Sequence, residues 1–352
     1  MKRRRGAYNS GYRAYTDARG SPRQFSSARG SVRRCLDLAE TERTSPGATR
    51  TWDDVILPPM SRNAVPQGDA LSKAIDLAIG GNTRPLYDLL TRGSFLPSPR
   101  INETLVEHFA DECRTRGARA DRLAQTMASL DPDAAPGATV LEFLPVCGIA
   151  ALGARAAVDD AAFEPMLEAI HESADDMRFR VRDAVVGALV TIGARRGDAL
   201  LTRLAPWMDG LFHAAAVLRG LADNQWLTQI SRGDEAIARM DEAYVLARDA
   251  QRAAARYPGH KALVEVLAST PRAVAARFGV PVFDMLIRWT ATKEPFLRDA
   301  IEKNLIGSRM AGRFAPEVER VRAAMKSTTA APRNPDHYFG PTRGRGKKAK
   351  KR

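Results

Sequence analysis

The chain has 352 residues, 44% of them hydrophobic and only 7% aromatic, and a formal net charge of +13. That length supports a sizeable core, and an apolar set led by Ala and Leu argues for helices and against sheets. Three widely spaced cysteines, Cys35, Cys113 and Cys147, form no CxxC or metal-type spacing, which argues against a disulfide framework and suits a reducing intracellular compartment.

The charge is unevenly placed. Residues 1–50 hold 12 Lys/Arg against 4 Asp/Glu, residues 331–352 hold 8 against 1, and the 34 basic and 36 acidic residues between them nearly cancel. The first segment, 1–67, is rich in Arg, Gly, Ser and Pro. Such a composition buries too little apolar surface to offset ordering entropy, so a disordered basic tail is expected. Its start, MKRRRGAYNSGYRAYTDARG, interleaves arginine with tyrosine. There Arg3, Arg4, Arg5 and Arg13 can neutralise phosphates while Tyr8, Tyr12 and Tyr15 stack on unpaired bases. A short helix is expected around Val32–Glu40, and Trp52–Leu57 is expected to dock on the folded body.

From 68 to 326 the sequence is an almost continuous helical pattern. LSKAIDLAI, RPLYDLLTRG, INETLVEHFADECRTRG and RADRLAQTMASL each place apolar residues at i, i+3, i+4 and i+7. Breakers fall between them at Gly80–Gly81, Leu96–Pro99 and Pro132–Gly137, giving about 13 helices of about 10–20 residues each. The most apolar stretch, Val140–Ala154, contains Glu142 and is short for a membrane span; a soluble, cytoplasmic protein without membrane contact is expected. The last segment, 327–352, ends GRGKKAKKR. It reads as a second disordered basic tail, in which Arg345, Lys347, Lys348, Lys350 and Lys351 form a compact run of positive charge.

One unit recurs. MRFRVRDAVVGALVTIG (Met177–Gly193) is matched by EPFLRDAIEKNLIG (Glu294–Gly307) and, more weakly, by VLRGLAD around Arg219. The first resembles the second helix of a HEAT repeat, with a Val–Arg pair opening it and an ALxxIG-like pattern closing it. Asp176 before Arg182 is similar to that family's acid–arginine ladder pair; Thr292 stands at the corresponding place in the later copy. The stretch from RPLYDLLTRG to FLPVCGIAALGA also resembles uncharacterised bacterial HEAT-like proteins. The resemblance implies an all-α chain, an α-solenoid of stacked HEAT-like helical hairpins flanked by disordered basic tails. Stacking of this kind buries apolar stripes that one hairpin cannot bury alone and leaves a curved binding surface. Val181, Ala184, Val185, Ala188, Leu189 and Ile192 are then core, and Arg178, Arg180, Arg195 and Arg196 are candidates to face the groove.

Signs of chemistry are few. His108, His171, His213, His260 and His337 lack HxxxH or HExxH spacing, and no GxSxG occurs. GPTRGRGK (Gly340–Lys347) departs from a phosphate loop in glycine spacing and in lacking Ser or Thr after the lysine. Acidic pairs such as Asp159/Asp160 and Asp175/Asp176 read as helix caps. No catalytic residue, metal or cofactor is assigned. The expected function is a non-enzymatic scaffold or adaptor. It binds a protein or peptide on its concave surface, and its tails make sequence-independent contact with RNA or DNA. An alternative is a HEAT-like DNA glycosylase acting on alkylated bases, with Trp207 and Asp209, or Trp289 and Asp284, in its groove. The balanced charge of the body does not suit a duplex-gripping groove.

Overall fold

The structure, a computed structural model, describes residues 68–250 and 256–328. Residues 1–67, with Val32–Glu40 and Trp52–Leu57, and residues 329–352 lie outside the described residues, while Ser327 and Thr328, expected to open the second tail, belong to the last helix. Every regular element among the described residues is helical.

The chain opens with α1 (Gly68–Ile79), α2 (Arg84–Gly93), α3 (Glu103–Arg116) and α4 (Ala118–Ala128). After a 3₁₀ turn at Val140–Glu142 come α5 (Phe143–Val158), α6 (Asp160–Ser173), α7 (Phe179–Arg196) and the short α8 (Asp198–Arg203). A 3₁₀ segment, Ala205–Asp209, leads to α9 (Leu211–Leu221), α10 (Asn224–Leu227) and α11 (Gly233–Asp249). The described chain closes with α12 (Pro258–Leu267), α13 (Thr270–Phe278), α14 (Val280–Trp289), α15 (Pro295–Asn304), α16 (Ser308–Arg313) and α17 (Ala315–Thr328). The elements outnumber the expected 13 because caps and Gly turns cut off pieces such as α8, α10 and α16, each too short to show a periodic pattern. The long pattern from Gly233 ends as helix at Asp249, and the next helix starts on Pro258 at its first turn.

Boundaries follow local chemistry. Asn102 caps α3 by accepting from the Leu105 amide at 3.2 Å. Asp159 caps α6 by accepting from Ala161 and Ala162 at 2.9 and 3.3 Å. Between α3 and α4, α7 and α8, and α13 and α14 the chain turns on Gly117, Gly197 and Gly279, at φ 61°, 50° and 68°. Those angles strain any residue with a Cβ.

Packing runs between elements near in sequence. Helix α5 packs on α3, α4, α6 and α7; α7 packs on α9, α9 on α12, and α12 on α15. A parallel set links α11 to α14 and α14 to α17. Helix α5 is buried nearly all round, and a Cβ on its Gly153 would come within 2.8 Å of Ala188 on α7, so the two helices meet at glycine distance.

Helix α5 also corrects a sequence expectation. The apolar run extends beyond Ala154, so that Val140–Val158 reaches 19 residues with mean hydropathy 1.6, long and apolar enough to cross a membrane. Here 83% of it is buried against neighbouring helices. Burial inside the protein, rather than shortness, accounts for its composition.

In α7 the expected core positions hold: Val181, Val185, Ala188, Leu189 and Ile192 are buried, and Ala184 is half-buried. Val185→Asp would place an unpaired carboxylate where the native side chain is wholly enclosed. We expect it to destabilise the body by about 3 kcal/mol or more, read by chemical denaturation; an unchanged midpoint would contradict this packing.

Candidate functional site

The arginines are distributed by a rule the copies in the sequence only partly revealed. Arg116, Arg155 and Arg196 recur about every 40 residues, each in the last turn of its helix. Each reaches back to a carboxylate 34–40 residues earlier. Arg116 Nε donates to Asp76 Oδ1 at 2.8 Å, Arg155 Nε to Asp121 Oδ1 at 2.7 Å, and Arg196 Nη1 to Asp160 Oδ1 at 2.7 Å. Arg219 to Asp183 and Arg320 to Asp284 repeat the step at 36 residues. The guanidinium fork serves several acceptors at once: Arg116 also donates to Ser72, and Arg155 also to Asp159 at 2.7 Å. These bonds hold Asp76 and Asp159 below the usual carboxylate range, the arginine hydrogen bond being the largest cause in each.

The recurrent arginines of the two copies, Arg182 and Arg298, act differently. Arg182 donates to the Asp176 carbonyl six residues earlier, and Arg298 to the Thr290 carbonyl eight residues earlier at 2.7 Å. The Asp176 carboxylate instead pairs with Arg178 at 2.6 Å. A carbonyl serves both copies, so Thr292 can replace the acid.

Of the four groove candidates, Arg178 and Arg180 point inward, 6% and 8% exposed. Arg178 donates to the carbonyls of Leu130 and Ala135 at 2.7 Å each. Arg180 pairs with the buried Glu142 at 3.0 Å and reaches the Ser98 carbonyl at 3.1 Å. The segments around Ser98 and 130–142 carry backbone acceptors and a carboxylate that need buried donors, and the two arginines supply them. Met177 and Phe179, alternating with them, are exposed instead, at 75% and 53%. Arg196 is held by Asp160 and the Ala156 carbonyl over the Phe163 ring; Arg195 is exposed. The structure therefore uses Arg178 and Arg180 as anchors of loops, and Arg178 also lines an open cleft of about 500 Å³ together with Arg122, Glu172 and Asp176. Arg3, Arg4, Arg5, Tyr8, Tyr12, Arg13, Tyr15, Arg345, Lys347, Lys348, Lys350 and Lys351 lie outside the described residues.

The two tryptophan–aspartate pairs are placed separately. Trp207 is a core residue, 4% exposed, whereas Asp209 is exposed. Trp289 is half-buried at a cleft of about 580 Å³ and donates to Asp241 Oδ1 at 2.7 Å, while Asp284 pairs with Arg320 at 2.8 Å. Arg288 takes the second Asp241 oxygen, Arg248 lies 5.4 Å from the Trp289 ring centre, and Tyr244 stacks beneath it. Both Asp241 oxygens are thus engaged, and Glu294 lines the same cleft.

Two histidines that sequence spacing left isolated come together. The rings of His171 and His213 lie 4.2 Å apart, with Trp207 edge-on to His171 at 4.9 Å. They stand 42 residues apart, a separation that motif spacings do not sample. Burial first, then the neighbouring His213, hold His171 below its ordinary 6.5, against weaker pulls from Asp209 and Glu168. The thiols of Cys113 and Cys147 are buried and pushed upward by desolvation, Cys113 to about 12.

The His171 shift sets a pH dependence. A pKa lower in the folded state means the unfolded chain binds the proton more readily, so stability falls as pH drops below 6.5 through the folded value. We expect the unfolding temperature to decrease between about pH 7 and pH 5, and His171→Phe to flatten that slope. A slope unchanged in the variant would assign it to other groups. Comparison with protein-family models, curated proteins and solved structures finds no match to this chain.

Proposed function

We propose that residues 68–326 form an α-solenoid of HEAT-like helical hairpins that acts as a non-enzymatic scaffold, binding a protein partner on its surface. The observation that carries this reading is the set of arginine bonds stepping back one period at a time, from Arg116 to Asp76, Arg155 to Asp121 and Arg196 to Asp160. A bond that recurs at the period of the sequence is what stacked copies of one unit require. Packing supports it, since α3, α5, α7, α9, α12 and α15 follow one another as neighbours. Open clefts between successive units, such as that of about 500 Å³ bounded by Arg122, Gln125, Glu172 and Asp176, suit extended partner segments more than an enclosed substrate.

The tails complete the proposal. With 12 basic residues against 4 acidic in 1–50, and 8 against 1 in 331–352, they supply sequence-independent affinity for RNA or DNA through phosphate neutralisation. Among the described residues Trp289 beside Asp241 is the arrangement that favours the glycosylase alternative, and the Asp241 carboxylate is already bonded to Arg288 and to the indole.

Affinity capture with the full chain separates the parts. Partners held by the body should persist after nuclease treatment, and in a variant with Arg3, Arg4, Arg5, Lys347, Lys348, Lys350 and Lys351 changed to Gln. Nucleic acid and its associated proteins should be lost in both. Loss of every captured protein on nuclease treatment would contradict the scaffold reading.

A further inference from the structure

The arginine bonds change character along the chain. Arg277 and Arg313 occupy the last turns of α13 and α16, the position held earlier by Arg116, Arg155 and Arg196. They end on carbonyl oxygens where those end on carboxylates. Arg277 donates through Nε and Nη2 to Ile230 at 3.1 and 2.7 Å, and Arg313 through Nη1 to Ala276 at 3.1 Å. Arg272 likewise donates to the Ile306 carbonyl at 3.1 Å. A carbonyl orients a guanidinium without cancelling its charge. Among the described residues none of these three arginines joins an ion pair.

Arg272 and Arg277 line a cleft of about 880 Å³ between α10, α13 and α16, and no Asp or Glu lines it with them. The polar lining is neutral, from Asn224, Thr228, Ser269 and Ser308. The positions are fixed. Buried Asn304 accepts from the Arg272 amide at 3.0 Å while donating to the Leu267 and Ala300 carbonyls. Gly307, at φ 125°, turns the chain so that the Ile306 carbonyl meets Arg272. The Arg277 guanidinium lies over the Phe278 ring at 5.4 Å, and each arginine keeps donors beyond those its carbonyl takes.

A preset pair of uncompensated guanidinium forks matches carboxylates, which they bind in bidentate fashion. No aromatic side chain lines the cleft, so unpaired bases find no stacking platform there. The wall instead offers aliphatic surface, including Ile306 at 55% exposure. We propose that this cleft docks an acidic peptide segment of a partner protein, its carboxylates on Arg272 and Arg277 and an aliphatic side chain against Ile306. The proposal rests on the scaffold reading and names the chemistry of one partner.

The test uses the full chain and a fluorescein-labelled synthetic decapeptide of alternating Glu and Leu, followed by fluorescence anisotropy. Arg272→Gln with Arg277→Gln keeps a donor for each carbonyl and removes both charges. It should weaken peptide binding at least tenfold and leave the unfolding temperature and the affinity for oligo(dT) unchanged. Neutralising Lys347, Lys348, Lys350 and Lys351 to Gln should weaken the peptide less than threefold and oligo(dT) more. Peptide affinity unchanged in the cleft variant, or lost only in the tail variant, would overturn the cleft while leaving a partner elsewhere on the body. Equal loss of peptide and oligo(dT) in the cleft variant would also overturn it, assigning the site to nucleic-acid phosphates. Failure of the scaffold reading itself is read separately, in the nuclease-treated capture.

Discussion

The guanidinium at the end of one helix, bonded to a carboxylate 34–40 residues back, is the interaction on which the rest of the body depends. It sits where a helix leaves carbonyls unpaired and its dipole favours a cation. It also lies at a junction where the chain must turn sharply, as at Gly117 and Gly197 after Arg116 and Arg196. Arg155, only 4% exposed, shows why the residue is arginine: one fork meets Asp121 and Asp159 together. Lysine would present a single point charge to two acceptors on different helices.

Around these bonds the apolar packing needs little sequence precision. Helix α5 touches α2, α3, α4, α6 and α7 and supplies small residues where neighbours approach closely, as at Gly153 against Ala188. Cores of this kind are dominated by burial, which is non-directional. The arginine bonds supply register, since a slip of one residue would leave a buried guanidinium unpaired. The same geometry leaves a different charge balance when its partner changes. Where a carboxylate closes the bond the guanidinium charge is compensated, and where a carbonyl closes it, as at Arg277, the charge stays uncancelled, which is what the proposed cleft requires.

Much of the helical framework was legible in the sequence because a buried stripe repeats at helical spacing, and the core of α7 followed from one motif. The arginines were harder. Periodicity marks which residues are apolar, but not which way a charged residue at a helix entry turns. The sequence offers Arg178 and Arg180 as groove-facing candidates, but backbone acceptors on segments 40 or more residues away draw both side chains inward and leave Met177 and Phe179 exposed. The signal that could have found the connecting arginines was present as a recurrent Arg near the turn at Arg116, Arg155, Arg196, Arg277 and Arg313. The VRDAV and LRDAI motifs instead mark Arg182 and Arg298, which bond to carbonyls six and eight residues earlier. The His171–His213 contact and the Trp289–Asp241 bond span 42 and 48 residues, and no local motif encodes either.

The central claim is that these bonds join successive units, so that stability is shared between neighbours rather than across the whole body. Hydrogen exchange read by mass spectrometry on Arg155→Gln tests it most directly. Loss of the bonds to Asp121 and Asp159 should raise exchange in α4, α5 and α6 and leave protection in α12 to α17 unchanged, as nearest-neighbour coupling requires. An equal loss of protection in every helix would contradict the claim and describe a single cooperative bundle.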